Sequence, residues 1–426
     1  MNRAVVAFLA IASCNQDEPA KPPLVPHDAA TRHDAAVIDA GVRDAGTATV
    51  REAKALASAG NATCAVMADR TVRCWGRNDH GQLGDGTTAD RSTPVAPKLR
   101  GVTQLAMGGD AACAIVDDKS VACWGRIGWR GAGDVLVPTG VLGVTGIDRI
   151  WVIGDRACAR SDKGAVVCWG DVDASGRPGH GLHRLPTPVV GLDHVSALLD
   201  RAALHDDGTV SAWGDDGVVK ATAITGAIEV GVRTGATCGR LADGSLGCVG
   251  PQPCAAPPAA PIKKPTKPAK PAKGKKAPPP PPPPATWSPG LPRAKLLALE
   301  IGWCVVTDGG ALQCGDGCGH VDKPWRDLRG VDSVHGNCAL AGSALWCWGD
   351  DHKPMRHRGV SAAEAVAVGD THACAIAPTI IGQGNPDDVG SAGGVVCWGE
   401  NAHGELGRGD TDAHGDAAMI DFAPKP

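Results

Sequence analysis

The sequence predicts an all-β fold of repeated hairpins, arranged as blades about a common axis and preceded by a disordered tether. Three observations carry this. A two-cysteine hairpin pattern recurs along the 426 residues, and its copies start mostly 34 to 49 residues apart. A period of that size with strand content means stacked units, each burying its faces only against its neighbours. Gly 58 and Pro 33 exclude a long coiled coil, and no run of about 18 apolar residues supports a polytopic helical membrane protein. The formal net charge of −4 gives no reason to expect nucleic acid as a partner. Twelve Trp, two Phe and no Tyr leave a core built from Ala, Val, Leu and Trp.

The first fourteen residues set the expected compartment. Met1-Asn2-Arg3 supplies a positive charge, and Ala4 to Ala12 is apolar but too short for a permanent spanning helix. Ile11-Ala12-Ser13-Cys14 then resembles the bacterial lipoprotein box. Residues 1–13 are expected to be a lipoprotein signal peptide and Cys14 the lipidated N-terminus; the bland alternative is a buried strand with a chance cysteine. Multiple acyl chains would anchor the chain stably. Asn15, rather than Asp, follows the lipid cysteine, and by resemblance to lipoprotein sorting this favours the outer membrane. Residues 14–54 are Asp/Ala/Pro-rich and almost without aromatics. They cannot bury enough apolar surface to offset their conformational entropy, so a flexible tether is expected.

From residue 55 onward the repeat takes over. Cys64 to Gly76 reappears as Cys113 to Gly125 and Cys158 to Gly170, with degraded copies from Cys238, Cys304, Cys338 and Cys374. Each copy alternates apolar and small residues, turns at Asp, Gly or Ser, and alternates again, as a β-hairpin does. Cross-strand register then places Cys64 opposite Cys74, Cys113 opposite Cys123, Cys158 opposite Cys168 and Cys238 opposite Cys248. The same reasoning pairs Cys304 with Cys314, Cys338 with Cys347 and Cys374 with Cys397, across hairpins whose turns differ in length. An eighth copy carries Ala202 and Ala212 at both positions, so both cysteines are missing together. Separated two-Cys hairpins do not offer four ligands to zinc, so disulfides in an oxidising compartment are the expectation. Seven pairs use fourteen of the 17 cysteines and the lipid a fifteenth. Cys254 and Cys318 are left, either as an extra bridge between loops or as two free thiols.

Cys74-Trp75-Gly76-Arg77-Asn78-Asp79-His80-Gly81-Gln82-Leu83-Gly84, followed by Thr93-Pro94-Val95, resembles the regulator of chromosome condensation repeat. Trp398 to Gly407 repeats the loop, while middle copies lose it, and Val249 and Gly315 replace the blade Trp. The resemblance implies a β-propeller over 55–426. Eight hairpins suggest eight blades, and the family habit leaves seven open. For ring closure, Ala417 to Phe422 is expected to supply a strand to the first blade, which lacks a preceding Thr-Pro-Val.

Residues 251–292 interrupt the pattern with seven Lys and no acid, ending in Pro278 to Pro284. This predicts an extended polyproline arm, read either as an electrostatic contact with anionic envelope polymer or as a solvated insertion. No Gly-x-Ser-x-Gly elbow, His-Glu-x-x-His or phosphate loop is present. Asp171-Val172-Asp173 imitates a calcium loop, but Leu182 stands where its bidentate Glu would be. No catalytic residue, metal or cofactor is therefore expected. Asn61, Asp110, Asp155 and Asp370 each follow a glycine; they either cap their own turn or form a ring of carboxylates on one face. Trp129, Trp151 and Trp325 lie off the repeat pattern and are candidate binding residues, with gap filling between blades as the plainer use.

Together these readings make the chain a monomeric, non-enzymatic binding module, lipid-anchored in the cell envelope, for an extracytoplasmic protein or envelope polymer. Family members serve as exchange factors, inhibitors and scaffolds, so the resemblance also implies an inhibitor of an extracytoplasmic enzyme as one use. The alternative class is a propeller lyase or hydrolase acting on polysaccharide.

Overall fold

In the computed structural model the expected hairpins are the second and third strands of eight antiparallel sheets, which form an eight-bladed β-propeller ring. The structure describes residues 52–127, 134–172, 178–253, 286–299, 302–318, 320–325, 328–342, 344–349, 353–361, 363–377 and 394–422. The expected signal peptide, Cys14 and nearly all of the expected tether, as well as Trp129 and the Lys-rich part of the 251–292 insertion, lie outside them. Blades 1 to 4 span 53–95, 102–140, 147–193 and 195–221. Blades 5 to 8 span 227–249, 294–315, 331–361 and 365–419. First strands of neighbouring blades pack on one another at several boundaries, including Ala53–Ala59 of blade 1 against Ala365–Val368 of blade 8.

All seven expected cystines are present: Cys64–Cys74, Cys113–Cys123, Cys158–Cys168, Cys238–Cys248, Cys304–Cys314, Cys338–Cys347 and Cys374–Cys397. Each joins directly opposed residues of the hairpin, with Cα atoms 3.9–4.1 Å apart. Ala202 faces Ala212 at the same register. Cystines on this scale belong to an oxidising, extracytoplasmic setting. Cys318 is half of a disulfide, but Cys254 lies outside the described residues, so their pairing stays an expectation.

The core follows a circular rule. The cystine of each blade lies in one buried cluster with a Trp of the next blade. Cys64 and Cys74 cluster with Trp124, Cys113 and Cys123 with Trp169, and Cys158 and Cys168 with Trp213. Around the other side Cys304 clusters with Trp348, Cys338 with Trp398, and Cys374 and Cys397 with Trp75 of blade 1. Polarisable sulfur beside an aromatic ring is favourable, and in each of these clusters a cystine shares its buried surroundings with a Trp of the following blade. Blade 4, which lacks the cystine, is followed by blade 5, which lacks the Trp: Ala202 and Val249 share the cluster there. Blade 6 solves the same problem differently. Gly315 occupies the Trp position, and Trp303 sits directly opposite it in the hairpin. Trp303 clusters with Cys238 and Cys248 of blade 5, so the aromatic is supplied from the facing strand.

Ring closure departs from the expectation. His414–Met419 pairs with Gly394–Gly399 of its own blade 8, and blade 1 closes with its own fourth strand, Arg91–Val95. The reason is that Thr-Pro-Val ends the blade it follows and does not begin the next. Blade 1 therefore has no open position for a C-terminal strand. The C-terminal residues still reach blade 1 through side chains: Ile420 and Phe422 join the Trp75 cluster, with the Phe422 and Trp75 rings 5.9 Å apart. Outer edges remain, and Pro94, Pro138 and Pro188 lie in those edge strands, where each removes a donor from the open ladder.

Among the described residues, blades 5 and 6 have three strands each. After the insertion the chain returns to blade 5 at Trp287, which exchanges two backbone hydrogen bonds with Cys248, each 2.8 Å. The Trp287 ring lies 5.7 Å from that of Trp303. The inserted segment is thereby rooted on the blade at both ends.

Trp303 gives the test of the circular rule. Trp303→Ala is expected to destabilise by about 3–5 kcal/mol, as Trp124→Ala should, because both empty an inter-blade site. Denaturant unfolding measures this; a cost under about 1 kcal/mol at Trp303 alone would show that it fills no such role.

Candidate functional site

The turn after each first strand and the loop after each third strand lie on the same face. Backbone bonds tie them together: Arg77 N donates to Asn61 O at 2.9 Å, Asp171 N to Asp155 O at 3.0 Å and Glu400 N to Thr371 O at 3.0 Å. Gly60, Gly109 and Gly154 hold left-handed φ values of 54°, 54° and 55°, which sets up these tight turns. The residue following each glycine is thereby presented around the face.

The long loop of blade 1 is built on Asn78, which is fully buried. Its Oδ1 accepts from Leu83 N at 2.9 Å, and its Nδ2 donates to Thr87 O and Ala89 O, both at 3.0 Å. Asn401 repeats the arrangement, accepting from Leu406 N at 2.9 Å and donating to Asp410 Oδ1 at 2.8 Å. These loops also cap the next blade. Trp124 Nε1 donates to Gln82 O and Trp75 Nε1 to Glu405 O, each at 2.8 Å. A Cβ at Gly84 would lie 2.8 Å from the Trp124 ring, so glycine is needed for that approach.

Several ionisable groups on this face bridge blades. His80 Nδ1 lies 3.1 Å from Asp134 of blade 2, and His403 Nδ1 lies 2.7 Å from Asp90 of blade 1. Asp110 pairs with Arg126 across its own hairpin. Arg156, buried in blade 3, donates to Asp200 of blade 4 at 2.7 Å and 3.0 Å through the carbonyl and carboxylate oxygens. Burial lowers the Arg156 pKa while Asp200 opposes it. Burial alone would raise Asp79, but hydrogen bonds from Gln82 and Arg77 outweigh it and hold the carboxyl below its ordinary range. Asp110, Asp155, Asp200 and Asp370 stand in the equivalent turns of blades 2, 3, 4 and 8 on one face, and Asp110 and Asp200 take part in ion pairs.

The tryptophans expected to bind do not share this face as a cluster. Trp151 is buried with the blade 3 cystine and Trp213. Trp325 is half-buried edge-on to Trp348, with ring centroids 5.2 Å apart. Both are packed by neighbouring blades, which accounts for their position off the repeat. Among the described residues, no three His, Cys, Asp or Glu side chains gather as a metal would require. No helix of the described residues is long and apolar enough to cross a membrane.

Glu405 was not legible as unusual from the sequence. It occupies the place of Gln82, whose Nε2 donates to Asp79 Oδ1 at 3.2 Å; in blade 8 the Asp79 position is Ala402. Glu405 Oε2 accepts from His403 N at 2.8 Å, but Oε1 meets no partner among the described residues. Burial holds this carboxyl above its ordinary value. A carboxyl held up in the fold contributes stability at low pH that is lost as pH rises through its folded pKa. Ala402→Asp with Glu405→Gln is therefore expected to raise the thermal midpoint at pH 7–8 by about 2 °C or more and to flatten its decline above pH 5. Calorimetry across pH checks this, and an unchanged pH profile would contradict it.

Comparison with known proteins bears on the fold. Models of the regulator of chromosome condensation (RCC1) repeat match residues 54–82 and 71–115. No curated protein matches the chain by sequence. Among solved structures, the chain is similar to Prp20p from Saccharomyces cerevisiae, described for its binding to Gsp1p and histones. That likeness has 18% identity, covers 86% of this chain and 76% of that one, and has a TM-score of 0.39. Human WBSCR16 is 15% identical over 88% of this chain and 83% of that one, with a TM-score of 0.40. BamB from Moraxella catarrhalis is 10% identical over 76% of this chain and 90% of that one, with a TM-score of 0.39. The repeat matches cover residues 54–115, and over that stretch the chain is similar to the regulator of chromosome condensation repeat.

Proposed function

We propose that the chain is a lipid-anchored, extracytoplasmic protein-binding propeller that docks a basic surface of its partner on the face carrying the Gly-Asp turns. The observation that carries this reading is the charge of that face. In its described turns and loops carboxylates outnumber bases, with Asp79, Asp215, Asp216 and Asp370 exposed. The Asp215 side chain is 92% exposed even though it meets Arg201. Complementary charge steers encounter and sets specificity, and loops on a rigid scaffold are where binding residues collect. Asn78 and Asn401 supply that rigidity from beneath. Lipidation at Cys14 would hold the propeller at the outer membrane through the 14–54 tether, and the Lys-rich arm carries the opposite charge to the face beside its root.

Affinity capture from envelope extract with the full chain, compared with Asp155→Asn/Asp215→Asn/Asp370→Asn, tests the reading. A protein partner retained at low salt, released as salt rises and lost about tenfold or more in the variant is expected. Equal capture by the variant, or turnover of envelope glycan by the purified chain, would contradict it. Cys14→Ser is expected to release the chain from membranes; retention would remove the anchor from the account.

A further inference from the structure

The seam between blade 8 and blade 1 is where the ring closes, and no sheet is shared across it. It contains a short chain of buried polar groups. Ser58 Oγ lies 2.8 Å from Thr63 Oγ1, and Thr63 Oγ1 lies 2.7 Å from His372 Nε2. Thr63 belongs to the second strand of blade 1, Ala62–Met67, and His372 to the second strand of blade 8, His372–Ala377. All three are buried, at 4%, 0% and 3% exposure. One backbone bond crosses beside them, from Asp370 N to Gly60 O at 2.8 Å.

His372 is particular to this seam. The same position of the hairpin, two residues before the first cysteine, holds Ala62, Ala111 and Ala236 in blades 1, 2 and 5. A Cβ at Gly369 would collide with the imidazole, so glycine there makes the room for it. The other ring nitrogen, Nδ1, meets no polar partner among the described residues.

That geometry suits the neutral ring alone. Neutral imidazole has a single N–H, which Thr63 Oγ1 can accept while Nδ1 stays bare, whereas an imidazolium would bury an N–H without an acceptor and a charge without a counter-ion. The ionisable groups on the packed elements do not compensate. Lys54 and Glu52 pair with each other below the seam at the far end of the first strand of blade 1. Asp370 is exposed in its turn, Glu364 is exposed ahead of the first strand of blade 8, and Arg77 and Glu400 follow the third strands of the two blades.

We propose that Ser58, Thr63 and His372 form an acid-released latch, which closes the ring between its first and last blades while His372 is neutral and opens it when the ring takes up a proton. Burial brings the His372 pKa down from 6.5 to about 4. A histidine held down in the fold leaves stability intact above pH 6.5, erodes it as pH falls towards about 4, and adds nothing further below that. Over that window the closed seam loses on the order of a hundredfold of its advantage over the open one.

Hydrogen exchange of the full chain at several pH values, corrected for intrinsic exchange, reads this directly. Residues 53–67 and 372–377 are expected to lose protection between pH 6 and pH 4, before residues 102–116 of blade 2 do. His372→Gln keeps a donor for Thr63 and does not titrate, so its seam should stay protected through the same range. Thr63→Val removes the partner but leaves the imidazole, so its seam should open at higher pH than the wild type. Acid loss in His372→Gln equal to the wild type, simultaneous loss in all blades, or an unshifted profile in Thr63→Val would each overturn the latch.

Discussion

The contact on which the ring depends is that between the cystine of one blade and the tryptophan of the next. A sheet with so few aromatics, no Tyr and only two Phe, cannot fill the wedge between twisted blades with large side chains alone. The cross-strand cystine adds a compact, polarisable block at the centre of each blade, and the following Trp closes over it. The contact also explains why the two departures come where they do. Loss of the cystine in blade 4 falls beside loss of the Trp in blade 5, so neither orphans a partner. Loss of the Trp in blade 6 falls beside an intact cystine, and there Trp303 moves in from the opposite strand.

The same contact prepares the face on which docking is proposed. Trp75 and Trp124 use their indole N–H groups to hold the long loop of the preceding blade, so inter-blade packing fixes loops that carry charge. Asn78 and Asn401 then satisfy the loop backbone internally, and the histidines of those loops reach carboxylates of the next blade. Packing, loop geometry and the electrostatics of the face are therefore links of one chain. At the seam between blades 8 and 1 the cystine–tryptophan contact is joined by a polar one between buried groups, with no charge to balance a proton on His372.

Much of this was legible in the sequence because it is periodic. Cysteines at matched hairpin register gave all seven cystines, including the pair separated by 23 residues. What the sequence hid was whatever depends on the next blade. Register within one hairpin says nothing of which Trp faces which cystine, so Trp151 reads as a candidate binding residue and the packing role of Trp303 stays hidden. Thr-Pro-Val lies between hairpins, and its spacing alone does not say which of the two blades it completes. Glu405 and His372 are ordinary residues by type, and only the cluster around each, a missing Asp in one case and a missing acceptor in the other, makes them unusual. The Lys-rich arm is legible as composition and its root at Trp287 only as structure.

A double-mutant cycle across one blade boundary tests the central claim most directly. Removing the blade 1 cystine (Cys64→Ala/Cys74→Ala) and Trp124 separately and together, and following denaturant unfolding, isolates the energy of that contact. The account predicts a coupling of about 0.5–3 kcal/mol for this pair. The same cystine and Trp169, one blade further round, should be additive within about 0.5 kcal/mol. Equal coupling at both distances, or none at either, would contradict a ring held together blade by blade through sulfur and tryptophan.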